Sequence, residues 1–160
     1  MIDIISGLIN KHPGLYLFEV HTKADKILYD QISMIIVSLS NKELIDISIS
    51  KISNNNILLL EDLDTKDKVG TLQHMNHLKS MLNQMKKIVN NCVSTNSVCL
   101  YKTEYPISKP QHILNYLSIF SCRIENNKLY VTKTRLDTYD ETTPYDLTQD
   151  IRDYKIDKLV

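Results

Sequence analysis

Apolar residues recur at helical spacing over residues 2 to 12, at Ile2, Ile5, Leu8 and Ile9. His12-Pro13-Gly14 ends that element, because proline supplies no N–H and glycine accepts left-handed backbone. Leu15 to Val20 reads as a strand and Lys23 to Ser33 as a helix with Ile27, Leu28 and Ile32 on one side. Met34 to Leu39 is a continuous apolar run of the buried-strand type. Ile45, Ile47 and Ile49 then alternate with Asp46, Ser48 and Ser50, the period-two pattern of a strand with one wet face and the clearest such pattern in the chain.

After the loop Asn54-Asn55-Asn56, Ile57 to Leu60 leads into the longest periodic segment. From Thr65 to Cys92 the residues Val69, Leu72, Met75, Leu78, Leu82, Met85, Val89 and Cys92 fall three and four apart, which predicts one long amphipathic helix. Asp64 or Thr65 caps its start, and Lys86 and Lys87 suit the negative end of its dipole. A strand over Val98 to Thr103, a Pro106–Pro110 connector and a helix carrying Ile113, Leu114 and Leu117 follow. Ile119 to Ile124 and Leu129 to Thr134 flank Glu125-Asn126-Asn127-Lys128, whose asparagines tolerate the positive φ of a tight hairpin.

These elements predict an α+β fold, with mixed α/β as the variant: a mixed sheet packed on one long helix and two or three shorter ones. At 160 residues, 42% hydrophobic and 24% charged, the chain has room for one self-sufficient core. Charge then refines the domain picture. Net charge is zero, but residues 137 to 160 hold 7 acidic and 3 basic side chains, against 12 and 16 in the first 136. The expected organisation is therefore a globular domain over 1–136 and an acidic, flexible tail over 137–160. Overall neutrality argues against a nucleic-acid partner. No apolar run reaches membrane-helix length and no signal peptide is evident, so an intracellular protein, cytoplasmic or nuclear, with no membrane contact is expected.

Candidate chemistry is sparse. His74 and His77 share a helix face and are the only metal-ligand candidates, but Met75-Asn76 between them offers no general base. Cys92, Cys99 and Cys122 lack a Cys-x-x-Cys pair and any nucleophile signature around them, which points to free thiols in or near the core. Three isolated glycines exclude the usual phosphate-binding loops, and no cofactor is expected. Glu61, Asp62, Asp64 and Asp67 are explained by the positive end of the long helix. Lys128 to Arg135 interleaves basic and aromatic residues, which fits either a strand with a basic face or a track for a nucleic acid strand.

Leu58-Leu59-Leu60-Glu61-Asp62-Leu63-Asp64, Val69-Gly70-Thr71-Leu72, Leu78-Lys79-Ser80, Tyr105-Pro106-Ile107 and Ile113-Leu114 with Leu117 resemble the segment following the MPN domain in non-catalytic, proteasome-lid-type scaffold subunits. Upstream, Val20-His21-Thr22 with Asp25, Ile35-Ile36-Val37 and Ile47-Ser48-Ile49 are similar in order to the late half of such a domain. The resemblance spans about residues 20 to 117. It implies a scaffold without isopeptidase activity, because His21 stands without the second zinc-binding histidine, Lys23 occupying that place.

The expected function is accordingly non-enzymatic: a protein–protein interaction or scaffold subunit of an intracellular assembly, with a protein partner or self-association. The alternatives are a metal- or cysteine-dependent enzyme without a recognisable motif and a nucleic-acid-associated accessory protein. Leu78, Met81, Leu82 and Met85 on the long helix are the partner-binding candidates, or else its core face.

Overall fold

The structure, a computed structural model, describes residues 2–61, 72–104, 111–134 and 144–159. The elements run α1 (Ile2–Lys11), β1 (Gly14–Val20), α2 (Lys23–Leu39), β2 (Glu43–Leu44), β3 (Asn56–Glu61), α3 (Leu72–Ser94), β4 (Val98–Glu104), α4 (Gln111–Leu117), β5 (Phe120–Glu125), β6 (Lys128–Thr134), β7 (Tyr145–Asp146) and α5 (Leu147–Leu159). The strands form one mixed sheet in the order β2-β3-β4-β1-β5-β6-β7. The β2 to β5 side is parallel, while β6 and β7 join antiparallel. The expected α+β architecture of a mixed sheet with one long and several shorter helices is what the chain adopts.

Every residue of β1 is buried, as a central parallel strand covered on both faces requires. Its alternation feeds two cores. Tyr16, Phe18 and Val20 join Leu100, Phe120 and Cys122 under α1, α2 and α5. Leu15 and Leu17 join Leu58, Cys99 and Tyr101 on the opposite face, where Leu82, Met85, Val89 and Cys92 of α3 and Leu114 of α4 seal them. All three cysteines are buried free thiols.

Three expectations are corrected. Met34 to Leu39 is the second half of α2, not a strand. Leu28, Tyr29, Ile32, Ile35 and Ile36 form one buried helical face, and the surplus apolar residues Met34 and Leu39 project outward. The alternating segment at 45–49 forms no strand; the only strand pairing nearby is β2, at Glu43–Leu44 just before it. The Asp46 carboxylate accepts from the Ser48 amide (2.9 Å) and hydroxyl (2.7 Å), and the Ile49 and Ser50 amides donate to the Asp46 carbonyl, so a local turn replaces the ladder. Within the expected acidic tail, residues 145–159 form β7 and α5. Leu147 and Ile151 enter the first core, Asp150 accepts from the Ile2 amide (3.2 Å), and the Tyr154 and Ser38 hydroxyls hydrogen-bond (2.7 Å). Two aliphatic residues one helical turn apart are enough to dock an otherwise polar helix.

The hairpin forms as predicted, with Asn126 (φ 53°) and Asn127 (φ 62°) at its tip. The start expected for the long helix, 65–71, lies outside the described residues. Among the described residues no helix is long and apolar enough to cross a membrane.

Candidate functional site

Open α/β sheets place ligands outside the carboxyl ends of their strands, where neighbouring connections leave to opposite faces. Here the pair is β1 and β4. The chain leaves β1 through α2 over the first core and leaves β4 through α4 over the second. At these strand ends lies a cavity of about 160 Å³ lined by Val20, Lys26, Glu61, Lys102, Thr103 and Glu104.

Its four charges are two ion pairs. Lys26 Nζ meets Glu104 Oε1 at 2.5 Å, and Lys102 Nζ meets Glu61 Oε2 at 2.9 Å, with Asp30 Oδ1 at 3.8 Å. Lys102 also sits 5.7 Å from the Tyr29 ring centroid. The Tyr29 hydroxyl is buried with no hydrogen-bond partner among the described residues, and burial raises its pKa far above the ordinary phenol.

The turn from β1 into α2 is where a strand–loop–helix cradle would hold a phosphate. It consists of His21 and Thr22 alone. Thr22 is the N-cap: its hydroxyl accepts from the Asp25 amide (3.1 Å), and the Asp25 carboxylate accepts from the Thr22 amide (3.1 Å). This capping box uses two of the amides a phosphate would need and sets a buried carboxylate beside the helix's positive end. The crevice is neutral and its anion position is filled by the chain itself.

The sequence-derived candidates do not converge there. His74 and His77 fall in α3, but their side chains, like those of Leu78 and Met81, lie outside the described part. Leu82 and Met85 are core residues against β1 and β4, so the described half of the long helix packs on its own sheet. Among the described residues no group of three or more His, Cys, Asp or Glu is placed to hold a metal ion. Burial pushes the Cys92 thiol up to about 11 and raises those of Cys99 and Cys122 well above the ordinary thiol, so all three are protonated at neutral pH. Asp62, Asp64, Thr65 and Asp67 lie outside the described residues. Lys26, Lys102 and Glu104 were not singled out from the sequence. The signal was present in Lys102-Thr103-Glu104, polar residues ending an apolar strand.

A second feature lies along the sheet edge. β2 pairs only with Asn56 and Ile57 of β3, whereas β3 continues to Glu61. Beyond that pairing, Leu44, Ile45, Asp46, Ile47, Leu58, Leu59 and Leu60 line an open groove of about 450 Å³. The Ile57 carbonyl accepts from the Ile45 amide (3.1 Å), so strand alternation turns the Leu59 amide and carbonyl toward the same side. Among the described residues no strand pairs with Leu59 there. No family model matches the chain, and no curated protein matches it significantly.

Proposed function

We propose that the chain is a non-enzymatic interaction protein, a scaffold subunit that takes an extended segment of a protein partner along the outer edge of β3. The observation that carries this reading is the open edge at Leu59, bordered by an aliphatic groove that the exposed Leu44 lines and that Ile47 shares with a neighbouring groove lined by the exposed Ile49. Strand addition to such an edge draws affinity from main-chain hydrogen bonds and specificity from pockets for alternate side chains. Asp46 lines the groove, and Glu43 and Glu61 adjoin its lining residues Leu44 and Leu60 along the chain, so the fitting segment is aliphatic at alternate positions and flanked by Lys or Arg. The self-capped α2 and the paired charges of the crevice support the non-catalytic half of the reading, since neither leaves an anion cradle open.

The test is affinity purification of the tagged full chain and of a Leu44→Lys/Ile49→Asp variant. Ile49 is 83% exposed and Leu44 44%, so the fold tolerates both changes. A stoichiometric protein that the wild type retains through moderate salt, and that the variant loses with its melting temperature unchanged, is the expected result. Equal recovery of that protein by the folded variant refutes the edge as the docking site.

A further inference from the structure

The groove beside Leu59 does not end at Ile47. That residue also lines a second open groove, of about 470 Å³, between the chain at 47–52 and Lys87, Ile88 and Asn91 of α3 with Thr95. The Thr95 carbonyl accepts from the Asn55 amide (2.9 Å), which sets this second groove at the amino end of β3. Leu58, Leu59 and Leu60 carry the first groove the other way, toward Glu61 at the carboxyl end.

The walls are held in place. The Asp46 carboxylate accepts from the Ser48 amide and hydroxyl, and the Asn56 side-chain oxygen accepts from the Ser53 amide (2.9 Å). Lys42 Nζ, donating to Asn55 Oδ1 and the Asn96 carbonyl, ties the far end of that loop to the turn after α3. Ile47, Ile52 and Ile88 are half-buried against the second core, so the floor is aliphatic and anchored.

The two grooves differ in charge. Asp46 lines the first, and Glu43 and Glu61 adjoin it. No acidic residue lines the second, which presents the exposed Lys51 and Lys87. Among the described residues neither lysine has an ion pair or a hydrogen bond. Both walls lie in stretches, 47–60 and 72–103, that contain no acidic residue. The nearest carboxylate along the chain, Asp46, is taken up by Ser48.

From this arrangement we infer that the segment seated on the β3 edge continues over Ile47 into the second groove and is acidic there. Its aliphatic side chains rest on Ile47, Ile52 and Ile88, its carboxylates meet Lys51 and Lys87, and its Lys or Arg flank is kept to the Glu61 end. The inference rests on the β3-edge reading and adds to it the order of charges along the partner. An extended protein segment fits better than a nucleic acid strand, because no aromatic ring lines the floor for a base to stack on. It also fits the continuity with an edge that offers main-chain hydrogen bonds. Opposite charges at the two ends fix how the segment lies, since the reversed one meets like charge at both ends.

The test is fluorescence anisotropy, on the full chain at low salt, of labelled peptides of alternating Val and Thr. One begins with two Lys and ends with two Glu, a second has those ends exchanged, and a third has Lys at both ends. Whichever of the first two matches the direction the edge accepts is expected to bind about fivefold more tightly than the third, each exposed lysine contributing a few-fold at most. Salt at about 1 M should remove most of that advantage. Lys51→Ser with Lys87→Ser, at an unchanged melting temperature, should bring the favoured peptide to the level of the third and leave the third no weaker. Equal binding of all three peptides, or a preference that survives both substitutions, overturns the inference and leaves the edge reading standing. Binding of none of them by the folded chain overturns both. Capture of the chain by phosphatidylserine vesicles, lost with the same two substitutions, overturns the inference too and makes the lysines a membrane contact.

Discussion

Raising the pH through the thiol range tests whether the three cysteines are core residues or a latent nucleophile. Cys92, Cys99 and Cys122 are fully buried, and an unfolded chain exposes them with an ordinary pKa of 9.0. In the fold Cys92 holds its proton to about 11, chiefly through burial. Cys99 is raised well above the ordinary thiol by burial and then by Cys92, and Cys122 by burial and then by Glu19. Folded pKa values above the unfolded ones mean stability fully present below pH 9 and lost as pH rises beyond it, because only the unfolded chain releases protons there. Each thiol then weakens the folding equilibrium about tenfold per pH unit, so three cost roughly 4 kcal/mol per unit. Against a typical total of about 5–15 kcal/mol, the roughly 8 kcal/mol lost over two units unfolds a domain of lower-than-average stability and removes about half the stability of the most stable ones.

Lys42 works the other way. Burial lowers its pKa, the unfolded chain binds more protons between the lowered value and 10.5, and its linkage raises stability with pH in that window. The expected net loss up to about pH 10 is thus that of three thiols less up to one lysine, and above pH 10.0 the buried Tyr29 phenol, raised by burial, adds its own loss. Urea unfolding at about pH 8, 9 and 10 reads it directly, and Cys99→Ala or Cys122→Ala should each remove about a third of the thiol contribution while m stays constant. An alkaline slope unchanged by both substitutions refutes the reasoning. Alkylation of native protein at about pH 8 as fast as that of free cysteine refutes it as well, because a thiolate would then be accessible.

Other substitutions probe the remaining claims. Tyr29→Phe removes a buried hydroxyl that has no partner among the described residues and keeps the ring 5.3 Å from that of Phe18, so stability should hold or rise by about 1 kcal/mol in a urea titration. Lys42→Met should cost about 1.5–3 kcal/mol, since Lys42 Nζ donates to Asn55 Oδ1 (2.9 Å) and the Asn96 carbonyl (2.6 Å) and ties three loops at the amino end of the sheet. Leu82→Ala and Met85→Ala should each cost about 2–5 kcal/mol by thermal or urea unfolding, against about 0.5 kcal/mol or less for the outward Val93→Ala.

Much of the fold was legible wherever one periodicity acted alone. β1, β4 and the Asn126-Asn127 hairpin follow from apolar runs bounded by turn residues, and α3 from its stripe of Leu82, Met85, Val89 and Cys92. The misreadings arose where two signals competed. Met34 to Leu39 is apolar at every position but Ser38, so strand and helix are indistinguishable by period, and the tertiary choice fell to the stripe continuing from Leu28 through Ile36. At 45–50 the period-two pattern was real, yet Asp46 and Ser48 supplied a side-chain turn stronger than the ladder. The acidic balance of 137–160 masked Leu147 and Ile151, because net charge averages over the two residues that decide docking. The candidate site was the least legible. Lys26, Glu61, Lys102 and Glu104 lie on three separate elements, and only the strand order brings them together.

The start of α2 also decides what the crevice at the strand ends can hold. A phosphate-binding turn requires the residues after β1 to leave their amides open and the helix end uncharged, but Thr22 and Asp25 close those amides to start α2. The same two residues that make the 17-residue helix self-sufficient therefore remove the anion site. The price is not paid at the periphery, where β2 stops after two residues and leaves the β3 edge to the groove beside Leu59. In such a molecule a substitution that opens the α2 cap, such as Thr22→Gly, should weaken the helix by a few tenths of a kcal/mol without creating a phosphate site, because the Asp25 carboxylate would still occupy its mouth.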